Sequence, residues 1–133
     1  MSTPTRNEML AALERRQGSE AVQKLQAATV AVCGLGGLGS NIAISLARAG
    51  VGKLILIDFD SIDVTNLHRQ QYKACQVGMS KPEALLSNLK EIAPYMEFET
   101  HFEKVTAEMR WRCLPRPTWF ARPLTMPRPR RCL

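Results

Sequence analysis

Gly34-Leu-Gly36-Gly37-Leu-Gly39 sets four glycines into six residues, between an apolar run and a stretch with helical spacing. A strand that turns through such glycines into a helix offers free backbone N–H groups and the positive end of a helix dipole to a phosphate. Gly34 suits the tight turn, Gly36 a close approach of backbone to phosphate, and Gly39 close packing of the helix on the strand. Asp58 ends the next apolar run, where an acid accepts hydrogen bonds from ribose hydroxyls. The chemistry expected of Gly34, Gly36, Gly37, Gly39 and Asp58 together is the binding of an adenine nucleotide.

The segment that follows bears on which nucleotide. Asp58-Phe-Asp60 leads to Asn66-Leu-His68-Arg69-Gln70, and then to Lys81 at the start of a helical pattern. A helical turn over residues 65–70 would put Asn66 on one face with Arg69 and Gln70, beyond the C-terminal ends of the strands. The pyrophosphate of a nicotinamide cofactor seldom requires several cations. A triphosphate does, and a transition state developing at its α-phosphate requires them more. Arg69 and Lys81 therefore favour ATP, and an NAD-binding oxidoreductase domain is the alternative.

Pattern also shows the helices and strands around these residues. Met9, Leu10, Leu13, Val22 and Leu25 lie on two short helices separated by Gly18-Ser19. Thr29–Cys33 reads as a buried strand. Leu38, Ile42 and Leu46 form the apolar stripe of a helix that Gly50 stops, and Lys53–Ile57 is a second strand. Ser80 and Glu83 suggest a capping box, with Pro82 in the first turn and Leu85, Leu86, Leu89, Ile92 and Ala93 behind it. Met96–His101 alternates as a third strand. The order predicts an α/β, Rossmann-like parallel sheet with flanking helices and right-handed crossovers. Residues 1–28 are expected to be N-terminal helices and 29–106 an incomplete nucleotide-binding domain.

The last part, 107–133, is unlike the rest. The chain has 133 residues and a net charge of +6, yet seven arginines lie beyond Glu108 with no lysine and no acid. Without them 11 basic residues face 12 acidic ones, so the body is close to neutral and nucleic acid is not an expected partner. Five of the eight prolines and both tryptophans also fall there, without periodicity. Such a composition suits a disordered tail, and it also resembles GC-rich DNA read out of frame. A frameshift near codons 107–110 is the expectation, and a Pro/Arg binding segment the alternative. The four cysteines, Cys33, Cys75, Cys113 and Cys132, form no Cys-x-x-Cys pair, which supports neither zinc nor a disulfide framework. No metal-ligand cluster, secretory signal or membrane span is evident, so the cytoplasm is the expected location.

Taken together, Gly34–Ser40, Ile57-Asp-Phe-Asp60, Asn66-Leu-His-Arg69-Gln70 and Gly78-Met-Ser-Lys81 resemble the ThiF/MoeB/HesA family of adenylyltransferases, relatives of the ubiquitin-activating enzymes. The likeness runs from about Arg6 to Thr106, and the short ThiF type that activates the sulfur carrier ThiS for thiamine biosynthesis looks nearest. The resemblance implies use of ATP and Mg2+ to adenylate the C-terminal carboxylate of a ubiquitin-like sulfur carrier protein. It makes Gly37 part of the phosphate loop and Asp58 a ribose ligand. Asp60 would lie near the nucleotide, and Asn66, Arg69 and Lys81 would contact phosphates. Arg69 and Lys81 would act catalytically, balancing charge as pyrophosphate leaves. It also implies a homodimer, in which Arg15 or Arg16 reaches the partner's site, and leaves His68 a structural role. Within the family, molybdopterin-synthase adenylyltransferase and tRNA threonylcarbamoyladenosine dehydratase are alternatives. The family's Asp-rich, magnesium-holding turn does not follow Thr106. The expectation is accordingly a truncated sheet of three strands, weak ATP binding and no adenylation.

Overall fold

The computed structural model describes residues 2–106 and the backbone of Trp119–Ala121. Helices α1 (Arg6–Gln17) and α2 (Ser19–Ala27) precede strand β1 (Thr29–Cys33). There follow α3 (Gly37–Ala49), β2 (Lys53–Asp58), α4 (Lys81–Ile92), β3 (Glu97–Phe102) and β4 (Trp119–Ala121). Short 3-10 turns at Val64–Asn66 and Ala74–Gln76 punctuate the long β2–α4 connection. The strands form one all-parallel sheet in the order β3-β2-β1-β4.

Each element has a local cause. Thr5 caps α1 with a complete capping box to Glu8, and Gly18, at φ +86°, separates α1 from α2. Gly50 closes α3 in the left-handed region, at φ +96°. β1 and β2 are almost wholly buried, as strands covered on both faces must be. One face carries Val30, Val32, Leu54 and Leu56, packed against Ala43 and Ala47 of α3 and Ala84, Leu85 and Leu89 of α4. The other carries Ala31, Cys33, Ile55 and Ile57, with Val105 against them.

The structure departs from the sequence pattern in several places. The buried face of α3 is Gly39, Ser40, Ala43 and Ala47, not the expected Leu38, Ile42 and Leu46. Small residues let the helix axis approach the sheet, and the larger side chains are pushed to the flanks. Leu38 is half exposed. At α4 no side chain caps the helix backbone; instead the Ser80 hydroxyl donates to the Glu83 carboxylate at 3.1 Å. The three expected strands are joined by a fourth, because Trp119–Ala121 pairs with Val30–Val32 of β1. That strand falls in the segment expected to be a disordered, frameshifted tail. The remainder of that expectation lies outside the described residues, as do Cys113 and Cys132.

Candidate functional site

All the strands run the same way, so the loops after β1, β2 and β3 leave the sheet at one end. They enclose an open cleft of about 590 Å³. After β1, Gly34 (φ +89°) turns the chain while its N–H still donates to Ile57 O at 2.8 Å, the last rung between β1 and β2. Gly39 is required for space, since a Cβ there would lie 1.7 Å from Gly34 O. At Gly36 and Gly37 a Cβ would meet only Gln70 Nε2 at 3.7 Å and the Arg69 side chain at 3.6 Å. Gln70 and Arg69 thus lie directly against the loop. No protein group accepts from the N–H groups of Gly36, Gly37, Leu38 and Gly39 among the described residues. They are the free donors of a helix start and carry its partial positive charge.

The β2 end supplies Asp58 and Asp60. Asp58 is buried; its Oδ2 accepts from Leu35 N at 2.6 Å and its Oδ1 from Asp60 N at 2.9 Å. The carboxylate expected to bind ribose therefore also pins the glycine loop. Each oxygen retains a lone pair for a further donor. Asp60 stands half exposed, 3.6 Å from Lys81 Nζ, and its carbonyl accepts from Lys81 N. Lys81 is itself 6 % exposed. An ammonium so buried, with one long ion pair among the described residues, has donor capacity left for an anion in the cleft.

Arg69 and Gln70 arrive from the turn after Val64–Asn66. Arg69 Nη1 donates to Thr65 O at 3.2 Å, which leaves most of an exposed guanidinium fork free. Gln70 is buried, and its Oε1 has no hydrogen-bond partner among the described residues. A buried orphan acceptor of this kind fits a ligand donor or an ordered water. Of the predicted binding residues, Gly34, Gly36, Gly37, Gly39, Asp58, Asp60, Arg69, Gln70 and Lys81 line one cleft. Asn66 does not. Its Oδ1 accepts from Asp63 N at 3.0 Å, completing the capping box of its own turn. His68 is likewise engaged locally, with Thr65 O.

Sequence pattern missed the apolar wall. Leu38, Phe59 and Val105 line the cleft, and Leu38 and Phe59 are half exposed there. Lys104 Nζ lies 5.8 Å from the centre of the Phe59 ring. The signal available was Phe59 itself, an aromatic between two acids at the end of a buried strand. A second, apolar groove of about 340 Å³ lies between α1 and the C-terminal ends of α3 and α4, and Arg16 lines it; Arg15 is exposed. Among the described residues no group of three His, Cys, Asp or Glu side chains gathers to hold a metal, and no helix is long and apolar enough to cross a membrane.

Beneath the loop, Tyr72 OH donates to Leu35 O at 2.6 Å. Burial, reinforced by the Asp58 charge, raises its pKa far above the usual phenol range, so it remains a donor.

Known proteins resemble this chain in sequence and in fold. Ubiquitin-like modifier-activating enzyme 5 of Xenopus laevis is 41% identical over 97 residues, which are 73% of this chain and 24% of that protein. Adenylyltransferase and sulfurtransferase MOCS3 of Aedes aegypti is 39% identical over 92 residues, 68% of this chain and 21% of its own length. This chain therefore spans about a quarter of the curated relatives it matches. Among solved structures, the tRNA N6-threonylcarbamoyladenosine dehydratase TcdA of E. coli, in complex with ATP, superposes with a TM-score of 0.74. It is 31% identical and covers 81% of this chain and 46% of that one. The family model described as the ThiF family matches residues 8–119. The glycine loop, the acids after β2 and the cations beyond them thus sit in a chain that belongs to the ThiF family.

Proposed function

We propose that this chain binds ATP in the cleft and serves ATP-dependent adenylation of the C-terminal carboxylate of a ubiquitin-like protein. The observation that carries the reading is the meeting of free loop amides with two cations, Arg69 and the buried Lys81, at one cleft wall. That arrangement suits a polyphosphate better than a dinucleotide. Asp58 would take the ribose, and Leu38, Phe59 and Val105 would take the face of the base. When bound, ATP supplies the α-phosphate for the acyl-adenylate and pyrophosphate as leaving group. Arg69 and Lys81 would hold the charge that develops on that leaving group. Asp60, 3.6 Å from Lys81 Nζ, would hold that ammonium beside the phosphates, and Gln70 Oε1 would accept from a ligand donor or an ordered water. Among the described residues nothing fits a complete Mg2+ site, and no step here depends on one.

Family membership supports a ubiquitin-like partner, and the motif resemblance narrows the proposal to a ThiS-like sulfur carrier. The likeness to TcdA favours tRNA N6-threonylcarbamoyladenosine dehydration as the second reading. ATP–pyrophosphate exchange with each candidate substrate separates the two. Thermal shift with ATP against NAD tests the nucleotide, because a ligand that binds only the folded state raises its melting temperature. A shift with NAD and none with ATP would overturn the proposal. Arg69→Ala and Lys81→Ala should each weaken ATP by roughly tenfold or more, the worth of one charge-assisted hydrogen bond.

A further inference from the structure

The geometry points to Tyr72 as a positioning residue: its hydroxyl holds the Leu35–Gly36 peptide so that the Gly36 N–H faces the phosphate of the bound nucleotide. The inference rests on the phosphate-binding reading of the cleft.

The peptide between Leu35 and Gly36 is trans, and in a planar trans unit the C=O and the N–H point in opposite directions. Tyr72 OH draws the Leu35 carbonyl inward at 2.6 Å. Tyr72 belongs to the core cluster with Val32, Leu35 and Ala43, on the α3 and α4 side of the sheet, and does not line the cleft. Gly36 does line it, and its N–H has no acceptor among the described residues. Pulling the carbonyl into the core therefore turns the Gly36 N–H outward, into the cleft. The preceding peptide is fixed separately, because Leu35 N donates to Asp58 Oδ2 at 2.6 Å. With both of its flanking peptides pinned, Leu35 leaves the loop little freedom to flip.

Tyr72 is itself held in place. Gln71 N donates to Ser40 Oγ, Gln71 Nε2 to Asn41 Oδ1, and Asn88 Nδ2 to Gln71 O. Ser40 Oγ in turn donates to Gly36 O at 2.6 Å. The segment before Tyr72 is thus tied to both α3 and α4, and the hydroxyl is presented from a rigid frame. Without it, the buried Leu35 carbonyl would have no donor, and rotation of the peptide would relieve that while withdrawing the Gly36 N–H.

Tyr72→Phe keeps the ring and removes only the hydroxyl. In the full chain, ATP and adenosine affinities are measured by calorimetry for both proteins, together with the Gly36 amide resonance in 15N-labelled wild type. The expected result is about a tenfold loss for ATP in Tyr72→Phe with adenosine within about twofold, as for one lost donor to an anion. In wild type the Gly36 resonance should move on adding ATP or tripolyphosphate. Equal losses for ATP and adenosine would overturn the positioning role and leave the ATP reading standing. A phosphate-selective loss seen with NAD in place of ATP would uphold the positioning role and overturn the ATP reading. Should the variant not fold, the wild-type spectrum decides: a Gly36 resonance unmoved at saturating ATP overturns the inference. A wild type that binds no phosphate ligand overturns both.

Discussion

A methyl group at Gly39 would sit 1.7 Å from the Gly34 carbonyl oxygen, whereas one at Gly37 would rest 3.6 Å from the Arg69 side chain. Gly39→Ala should therefore destabilise the fold by about 3 kcal/mol or more, and Gly37→Ala by less than about 1 kcal/mol, measured as urea midpoints. The order of these effects distinguishes a glycine needed for packing from one that faces the open cleft. At this scale the sequence was most informative where a residue type admits few uses. Four spaced glycines, an acid after a buried strand and a cation at a helix start do meet at one cleft. It was least informative for Asn66, whose amide could serve either a ligand or its own turn. The nearby Asp63 backbone offered the closer partner. Tyr72 was silent in the sequence for a related reason. Its use depends on the carbonyl of Leu35, far away in the chain, and no pattern encodes that.

Among the elements, α3 shows what periodicity cannot resolve. Leu38, Ile42 and Leu46 share a face, but so do Gly39, Ala43 and Ala47, and the pattern alone favours the larger set. The sheet selects the smaller one, since a helix entered through the glycine loop must begin close to β1. Strands β1 and β2 were legible because a run buried on both faces has no other explanation at that length. β4 was not, because Trp119–Ala121 lies among prolines and arginines that suppress any strand signal. α4 is where packing carries the most weight. Leu89 is fully buried against the strands, so Leu89→Ala should cost about 2–5 kcal/mol in chemical denaturation. The exposed Lys73–Glu91 pair, at 2.9 Å, joins the β2–α4 connection to the same helix. Its removal by Glu91→Gln should change stability by less than about 1 kcal/mol.

For the whole molecule, Glu99 and Tyr72 make pH act on opposite sides of neutrality. Lys53, and then His101, hydrogen-bond Glu99 and hold its pKa below the usual 4.5. The native state binds that proton less readily than the unfolded chain, so this contribution is present at neutral pH and fades as the pH falls below 4.5. Glu99→Gln should flatten the acid limb of a melting-temperature profile. Tyr72 behaves in the opposite sense. Burial, with the charge of Asp58, keeps its proton on in the folded state well past the unfolded value of 10.0. Stability should fall as the pH rises above that value, and Tyr72→Phe should remove that part of the alkaline limb.

The strand order also fixes a sequence of events during synthesis. β1 must wait for β2 and then for β4, and this last neighbour pairs Val30 with Trp119 across most of the chain. Such a distant pairing is the slowest to close. Every described residue that lines the cleft, from Gly34 to Val105, leaves the ribosome before β4 does. A nucleotide that recognises the cleft therefore meets a nascent chain whose binding groups are already translated. By mass action it would favour the β1–β2–β3 arrangement while the other edge of β1 is still open. Nucleotide concentration would then act on how the chain folds, ahead of any chemistry it performs.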